Sequence, residues 1–184
     1  AVLDEIVAAW ITWARTAADV GIQTREVRAE AERAGGSAAA ARAAAQALHE
    51  RTGKSAGNGS LMRTAPVALA FLDDADAAAE AARSISSLTH RDDDAGDACV
   101  LWTLAIRHAV LTGTLDARIG LPALPAARRE RWAALLDDAE QRQPRDFARN
   151  GWVVEALQGA LSSIHGAVAA HGAGAGAALV DALE

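Results

Sequence analysis

The chain has 184 residues, of which 51% are hydrophobic and 23% are charged, and its formal net charge is −6 at pH 7. This length suits one domain with a core of its own. The composition excludes a disordered chain, and the acidic charge argues against a nucleic-acid-binding face. The single cysteine, Cys99, has no partner for an internal disulfide, which favours a cytoplasmic protein.

The first predicted element is an amphipathic helix near the N-terminus. Leu3, Ile6, Val7, Trp10 and Trp13 recur at the spacing that places side chains on one face of an α-helix. This pattern predicts that the two tryptophans pack in the core.

The following segments also have helical patterns, with local start and stop signals. The alanine-rich segment after Ser37 has strong helix formers, a serine at its N-cap position and Gly53 where the helix should stop. Similar helices are predicted over 74–85, from Asp92 to Gly113, and over 153–164. No segment alternates apolar and polar residues as a strand would. The sequence therefore predicts an all-α, compact, single-domain helical bundle spanning 1–184.

The weakly apolar segment 165–180 is the only candidate for a membrane span. It contains two histidines and several glycines, so it is too polar to cross a bilayer. We therefore expect no membrane partner, in addition to no nucleic-acid partner.

The sequence Gly53-Lys54-Ser55 is similar to the end of a P-loop. A P-loop also needs a first glycine five residues before the second, and that position is Leu48. It must follow a strand, whereas the preceding segment is a predicted helix. A nucleoside-triphosphatase is therefore excluded.

The next segment, Gly57-Asn58-Gly59-Ser60, is a candidate ligand loop. Two glycines allow positive φ and a close approach of the backbone to a ligand. Ser60 would then begin a helix whose first N–H groups could bind an anion. Alone, this pattern is more often a simple tight turn.

An acidic cluster follows His90, formed by Asp92, Asp93, Asp94 and Asp97. Carboxylates suit Mg²⁺ or Mn²⁺, and Asp93 and Asp97 would share a helix face. The favoured alternative is that the first three aspartates cap and charge the first turn of a helix.

Four segments in order resemble the ADP-ribosylglycohydrolase family, which includes the dinitrogenase reductase-activating glycohydrolases. They are DVGIQTREV (19–27), GNGSLMRTAPVAL (57–69), SLTHRDDDAGDACVLW (87–102) and NGWVVEALQGAL (150–161). The resemblance spans nearly the whole chain and implies an all-helical fold. It also implies a hydrolase that cleaves the glycosidic bond between ADP-ribose and an acceptor such as arginine, in an ADP-ribosylated protein or a small compound.

The resemblance further implies which residues bind the substrate. The expected substrate-binding residues are Gly57, Asn58, Gly59, Ser60, Met62, Arg63, His90 and Trp152. Met62 and Arg63 would anchor the loop, His90 would face the distal ribose, and Trp152 would lie beside the bound sugar.

The resemblance also implies two divalent cations, Mg²⁺ or Mn²⁺, in the intact protein. The family holds them with a Thr-Asp-Asp segment and an Asp-x-Asp-[Thr/Ser] segment, which would lie before Ala1 and after residues 180–184. We therefore expect a chain truncated at both ends, with no metal ligand and no catalytic residue of its own, which is inactive in isolation. An inactive ADP-ribose-binding module and a plain helical scaffold are the alternatives.

Overall fold

The computed structural model describes residues 2–171. Residues 180–184, after which the second metal-binding segment is expected, lie outside this range. The eight α-helices of this part are α1 (Val2–Trp13), α2 (Ile22–Arg33), α3 (Ala38–Thr52), α4 (Ala65–Ala70), α5 (Ala75–Ser86), α6 (Asp93–Thr112), α7 (Ala126–Gln141) and α8 (Val153–His171). Short 3-10 turns span Leu61–Arg63, Ala117–Ala123 and Pro144–Asp146. Within residues 2–171 there is no strand, only an antiparallel bridge between Gly57 and Trp152. The all-α fold class is confirmed.

The predicted helix ends are formed by the residues that signalled them. The Ser37 side chain accepts a hydrogen bond from the Ala40 N–H at the start of α3. Gly53 ends that helix with φ 61°, and Gly113 ends α6 with φ 78°. Only glycine adopts such left-handed conformations without strain.

The main core surrounds α6, which packs against α4, α5 and α8. Its small residues, such as Ala95, Ala98 and Ala105, are fully buried and allow neighbouring helices to approach closely. Trp132 of α7 and Leu157 of α8 fill the remaining space with fully buried side chains.

The first three helices form a separate layer with two smaller apolar clusters. Val7 and Ile11 of α1 pack with Ala31, Ala38 and Leu88. The second cluster lies between α2 and α3, around Val27, Ala44, Ala45 and Leu48. Two segments lie where this layer meets the helices around α6. They are the connection from α3 to α4 and the start of α2.

The prediction for the α1 tryptophans is partly wrong. Trp10 is half-buried and packs against the first small cluster. Trp13 is 51% exposed, because it is the last residue of α1 and lines an open groove. None of the helices within residues 2–171 combines the length and apolar character needed to cross a bilayer.

Candidate functional site

An open groove of about 800 Å³ lies between the α1–α3 layer and the loop that precedes α4. Its lining comes from five places in the chain, which are the end of α1, the segment 19–24, the loop 57–63, the segment just before α6, and the segment just before α8. Most of the surface is apolar, with a few polar groups, which is typical of a small-molecule site. The lining residues are Trp10, Trp13, Asp19, Val20, Gly21, Ile22, Gln23, Thr24, Gly57, Asn58, Gly59, Met62, Arg63, His90 and Gly151.

The loop 56–58 is fixed against the start of α8 by backbone hydrogen bonds. The Asn58 N–H donates to the Gly151 carbonyl at 3.1 Å, and the Val153 N–H donates to the Ala56 carbonyl at 2.9 Å. The Asn58 side chain donates to the Asn150 carbonyl at 2.8 Å. The groove therefore has a rigid floor before any ligand arrives.

The two loop glycines are required by the packing of His90 rather than by their backbone angles. Neither has positive φ, so the loop does not use the left-handed conformation that its glycines allow. A Cβ on Gly59 would lie 3.2 Å from His90 Cε1, and a Cβ on Gly57 would lie 3.3 Å from His90 Nε2. Side chains at either position would displace the imidazole.

The sequence also allowed a helix beginning at Ser60 with N–H groups free to bind an anion, and here the structure differs. The segment forms only the 3-10 turn Leu61–Arg63, and the Met62 N–H donates to the Asn58 carbonyl. Ser60 is buried, and its Oγ has no hydrogen-bond partner within residues 2–171. It lies beneath the loop rather than on the groove surface.

Arg63 and His90 form the polar wall of the groove. The Arg63 Nη2 donates to Thr89 Oγ1 at 2.6 Å and to the Ile85 carbonyl at 3.2 Å. Burial lowers the pKa of Arg63 to about 10, so the side chain stays cationic at pH 7. Burial, together with the charge of Arg63, lowers the pKa of His90 to about 3, and the imidazole is neutral.

Gln23 joins three segments behind this wall. Its Nε2 donates to the Thr89 carbonyl at 2.9 Å and to the Ser55 carbonyl at 3.0 Å. The start of α2 is thereby held against both the ligand loop and the residue before His90. Gln23, Thr24 and Thr89 had no assigned role in the sequence, and the only signal was that they lie in the segments of family resemblance.

Within the part of the chain that the structure describes, Trp152 does not line the groove. Its side chain is half-buried against the main core, and the Arg149 guanidinium carbon lies 4.7 Å from the centroid of its ring. The neighbouring Gly151 lines the groove instead. The structure thus places Gly57, Asn58, Gly59, Met62, Arg63 and His90 around one groove, whereas Ser60 and Trp152 lie behind its surface.

Within residues 2–171, acidic side chains of this cluster cap α6 or pair with arginines, and they do not form a metal centre. Asp92 is the N-cap of α6 and accepts a hydrogen bond from the Asp94 N–H, as the favoured alternative predicted. Asp94 accepts hydrogen bonds from Arg128 and Arg131 at 2.5 and 2.6 Å. Asp92–Asp94 line a separate pocket of about 490 Å³, not the groove.

Asp97 also pairs with arginines, and its side chain is fully buried. It accepts hydrogen bonds from Arg83 Nη1 at 2.9 Å, from Trp132 Nε1 at 3.0 Å, and from Arg128. Within residues 2–171 no group of three or more histidine, cysteine, aspartate or glutamate side chains could hold a metal ion.

The fold and site together define an all-helical protein with a preformed small-molecule groove. The chain belongs to the ADP-ribosylglycohydrolase family, whose model matches residues 2–183. Searches of curated proteins and of solved structures gave no match.

Proposed function

We propose that the groove binds ADP-ribose, and that the intact protein hydrolyses the bond between C1″ of ADP-ribose and an acceptor. The acceptor would be a protein side chain such as arginine, or a small molecule. The observation that carries this proposal is that all four segments of family resemblance, 19–27, 57–69, 87–102 and 150–161, contribute residues to the groove lining. The volume of about 800 Å³ lies within the range of about 300 to 1,000 Å³ that is common for such ligands.

The groove offers complementary groups to such a ligand. The guanidinium of Arg63 gives the wall a positive charge, whose field favours an anionic ligand such as a diphosphate without direct contact. His90 presents its Nε2 between the two glycines of the loop. The apolar side chains of Trp13, Ile22 and Met62 surround these polar groups, so they would exclude water from a bound nucleotide.

The cations that the family resemblance implies do not fit the described residues. Asp19 lines the groove, whereas Asp92, Asp94 and Asp97, which follow His90 in the sequence, cap α6 or pair with arginines. In our proposal, two divalent ions, Mg²⁺ or Mn²⁺, belong to the intact protein, where they would activate water and polarise the ribose. Residues 2–171 bind and orient the substrate. We also propose a cytoplasmic location, which the lone cysteine favours.

Calorimetric titration of ADP-ribose tests the binding step. We expect saturable binding with and without Mg²⁺. Gly59→Ala should weaken it by at least about tenfold, equivalent to ~1.4 kcal/mol, because the new Cβ would shift the His90 imidazole away from the position in which Thr89 holds it.

Gly166→Ala is the matched control for this substitution. Gly166 is exposed on α8, and no atom lies within 4 Å of an added Cβ. This variant should bind ADP-ribose like the wild type. No binding by the folded wild-type chain, as judged by circular dichroism, would contradict the proposal.

A further inference from the structure

The hydrogen bonds behind His90 determine which of its ring nitrogens carries the proton. Thr89 is 3% exposed, and its Oγ1 lies 2.6 Å from Arg63 Nη2 and 2.7 Å from His90 Nδ1. A guanidinium can only donate, so Oγ1 must accept a hydrogen bond from Arg63. The threonine hydroxyl still has one proton to donate.

The acceptor for this proton is His90 Nδ1. Within residues 2–171 no other acceptor lies within hydrogen-bond distance of Thr89 Oγ1. If Nδ1 carried the ring proton, the threonine hydroxyl would be buried without an acceptor, which is costly. Nδ1 is therefore bare, and in a neutral imidazole the proton must lie on Nε2.

Nε2 is the ring atom next to the loop glycines. It lies 3.3 Å from the Cβ positions that side chains at Gly57 and Gly59 would occupy, and His90 lines the groove. No protein group of the described part bonds to it. The N–H is thus available to a ligand, although the residue as a whole is 2% exposed.

We infer that Thr89, oriented by Arg63, is a positioning residue that fixes His90 as the Nε2–H tautomer, so that the groove presents an N–H donor to an oxygen of the ligand. The ligand part of this inference rests on the proposed function, and the oxygen would be a hydroxyl or phosphate oxygen of ADP-ribose. His90 in this state donates a hydrogen bond and does not act as a base. Arg63 contributes through its hydrogen bond rather than through contact with the ligand.

Nuclear magnetic resonance of the ligand-free chain tests the tautomer directly. In a chain labelled with ¹⁵N histidine, long-range proton–nitrogen correlations distinguish protonated from bare ring nitrogens. His90→Gln identifies the His90 signals among those of the five histidines. We expect a bare Nδ1 and a protonated Nε2 at neutral pH. A protonated Nδ1 would overturn the inference.

Two substitutions at Thr89 separate positioning from packing. Thr89→Ser keeps the hydroxyl and should keep the Nε2–H signature and wild-type affinity for ADP-ribose. Thr89→Val keeps the shape and removes the hydroxyl, so it should show both tautomers and bind ADP-ribose about tenfold more weakly. A Thr89→Val spectrum identical to that of the wild type would overturn the role of Thr89, and if this variant fails to fold, the wild-type and Thr89→Ser spectra decide.

A lack of ADP-ribose binding can be distinguished from a failure of the tautomer inference. A wild-type chain with the Nε2–H tautomer and no affinity for ADP-ribose would contradict the proposed function and the proposed acceptor. It would leave the positioning of His90 by Thr89 in place. A chain that binds ADP-ribose but carries the ring proton on Nδ1 would contradict the positioning of His90 by Thr89 and would leave the proposed function in place.

Discussion

The guanidinium carbon of Arg63 lies 4.2 Å from the centroid of the Trp10 ring. This contact joins α1 to the 3-10 turn of the ligand loop, and it places one face of the indole against the cation that also bonds Thr89. Trp13, one turn later on the same helix, has no cation over its ring among residues 2–171 and is half exposed. The two tryptophans thus have different roles although they share a helical stripe.

Substitution of these two tryptophans should show that Trp10 contributes much more to the stability of the fold than Trp13. Trp10→Ala should lower the free energy of unfolding by about 2 kcal/mol, because it removes a cation–π contact and apolar packing. Trp13→Ala should change it by less than about 0.5 kcal/mol. Urea unfolding of both variants measures the difference. Equal losses would show that the contact with Arg63 contributes nothing.

Asp97 should be a stability determinant, not a metal ligand. Asp97→Asn removes a buried charge that accepts hydrogen bonds from Arg83, Arg128 and Trp132, and we expect a loss of about 3 kcal/mol in unfolding free energy. Asp93→Asn is the control, since Asp93 is exposed. Adding a chelator should change neither value. Tight Mn²⁺ binding that disappears in both variants would contradict this assignment.

The isolated chain should bind the product without turning over the substrate. Residues 2–171 offer no ligand set for a metal ion, and in the proposed function bound metal ions would activate the attacking water. We expect no release of ADP-ribose from an ADP-ribosylated arginine peptide with Mg²⁺ or Mn²⁺, measured by chromatography. Metal-dependent release abolished by Asp93→Asn would show that the acidic cluster is catalytic after all.

Local signals were sufficient to predict α1, α3, α5, α6 and α8, whereas α2, α4 and α7 were not individually predicted. Ser37 and Gly53 act through residues no more than four positions away, so their effect can be read from the sequence itself. The groove depends instead on long-range contacts, such as the hydrogen bond from Gln23 to the Thr89 carbonyl. Nothing local distinguishes Gly59, whose need for glycine comes from an imidazole that is distant in the sequence.

The resemblance to a family located the groove where periodicity could not. It identified the segments containing Asn58, Arg63 and His90, which the structure brings together. It could not show that Ser60 lies beneath the loop, because burial depends on how the 3-10 turn packs. The role of Thr89 could not be predicted either, because it depends on the hydrogen bonds that the folded chain forms between Thr89 Oγ1 and both Arg63 and His90.

The lowered pKa of His90 should make the fold sensitive to mild acid. Burial and the charge of Arg63 reduce this pKa from 6.5 to about 3, so the folded state excludes a proton that the unfolded chain binds. The stability contributed by neutral His90 is complete above about pH 6.5 and is lost progressively as the pH falls toward about 3. We expect the unfolding free energy to fall by about 1 kcal/mol between pH 7 and about pH 5.5. Urea unfolding at the two pH values measures this loss. His90→Gln should remove it, whereas His171→Gln, at an exposed position on α8, should retain it, and an equal loss in the His90 variant would contradict the assignment.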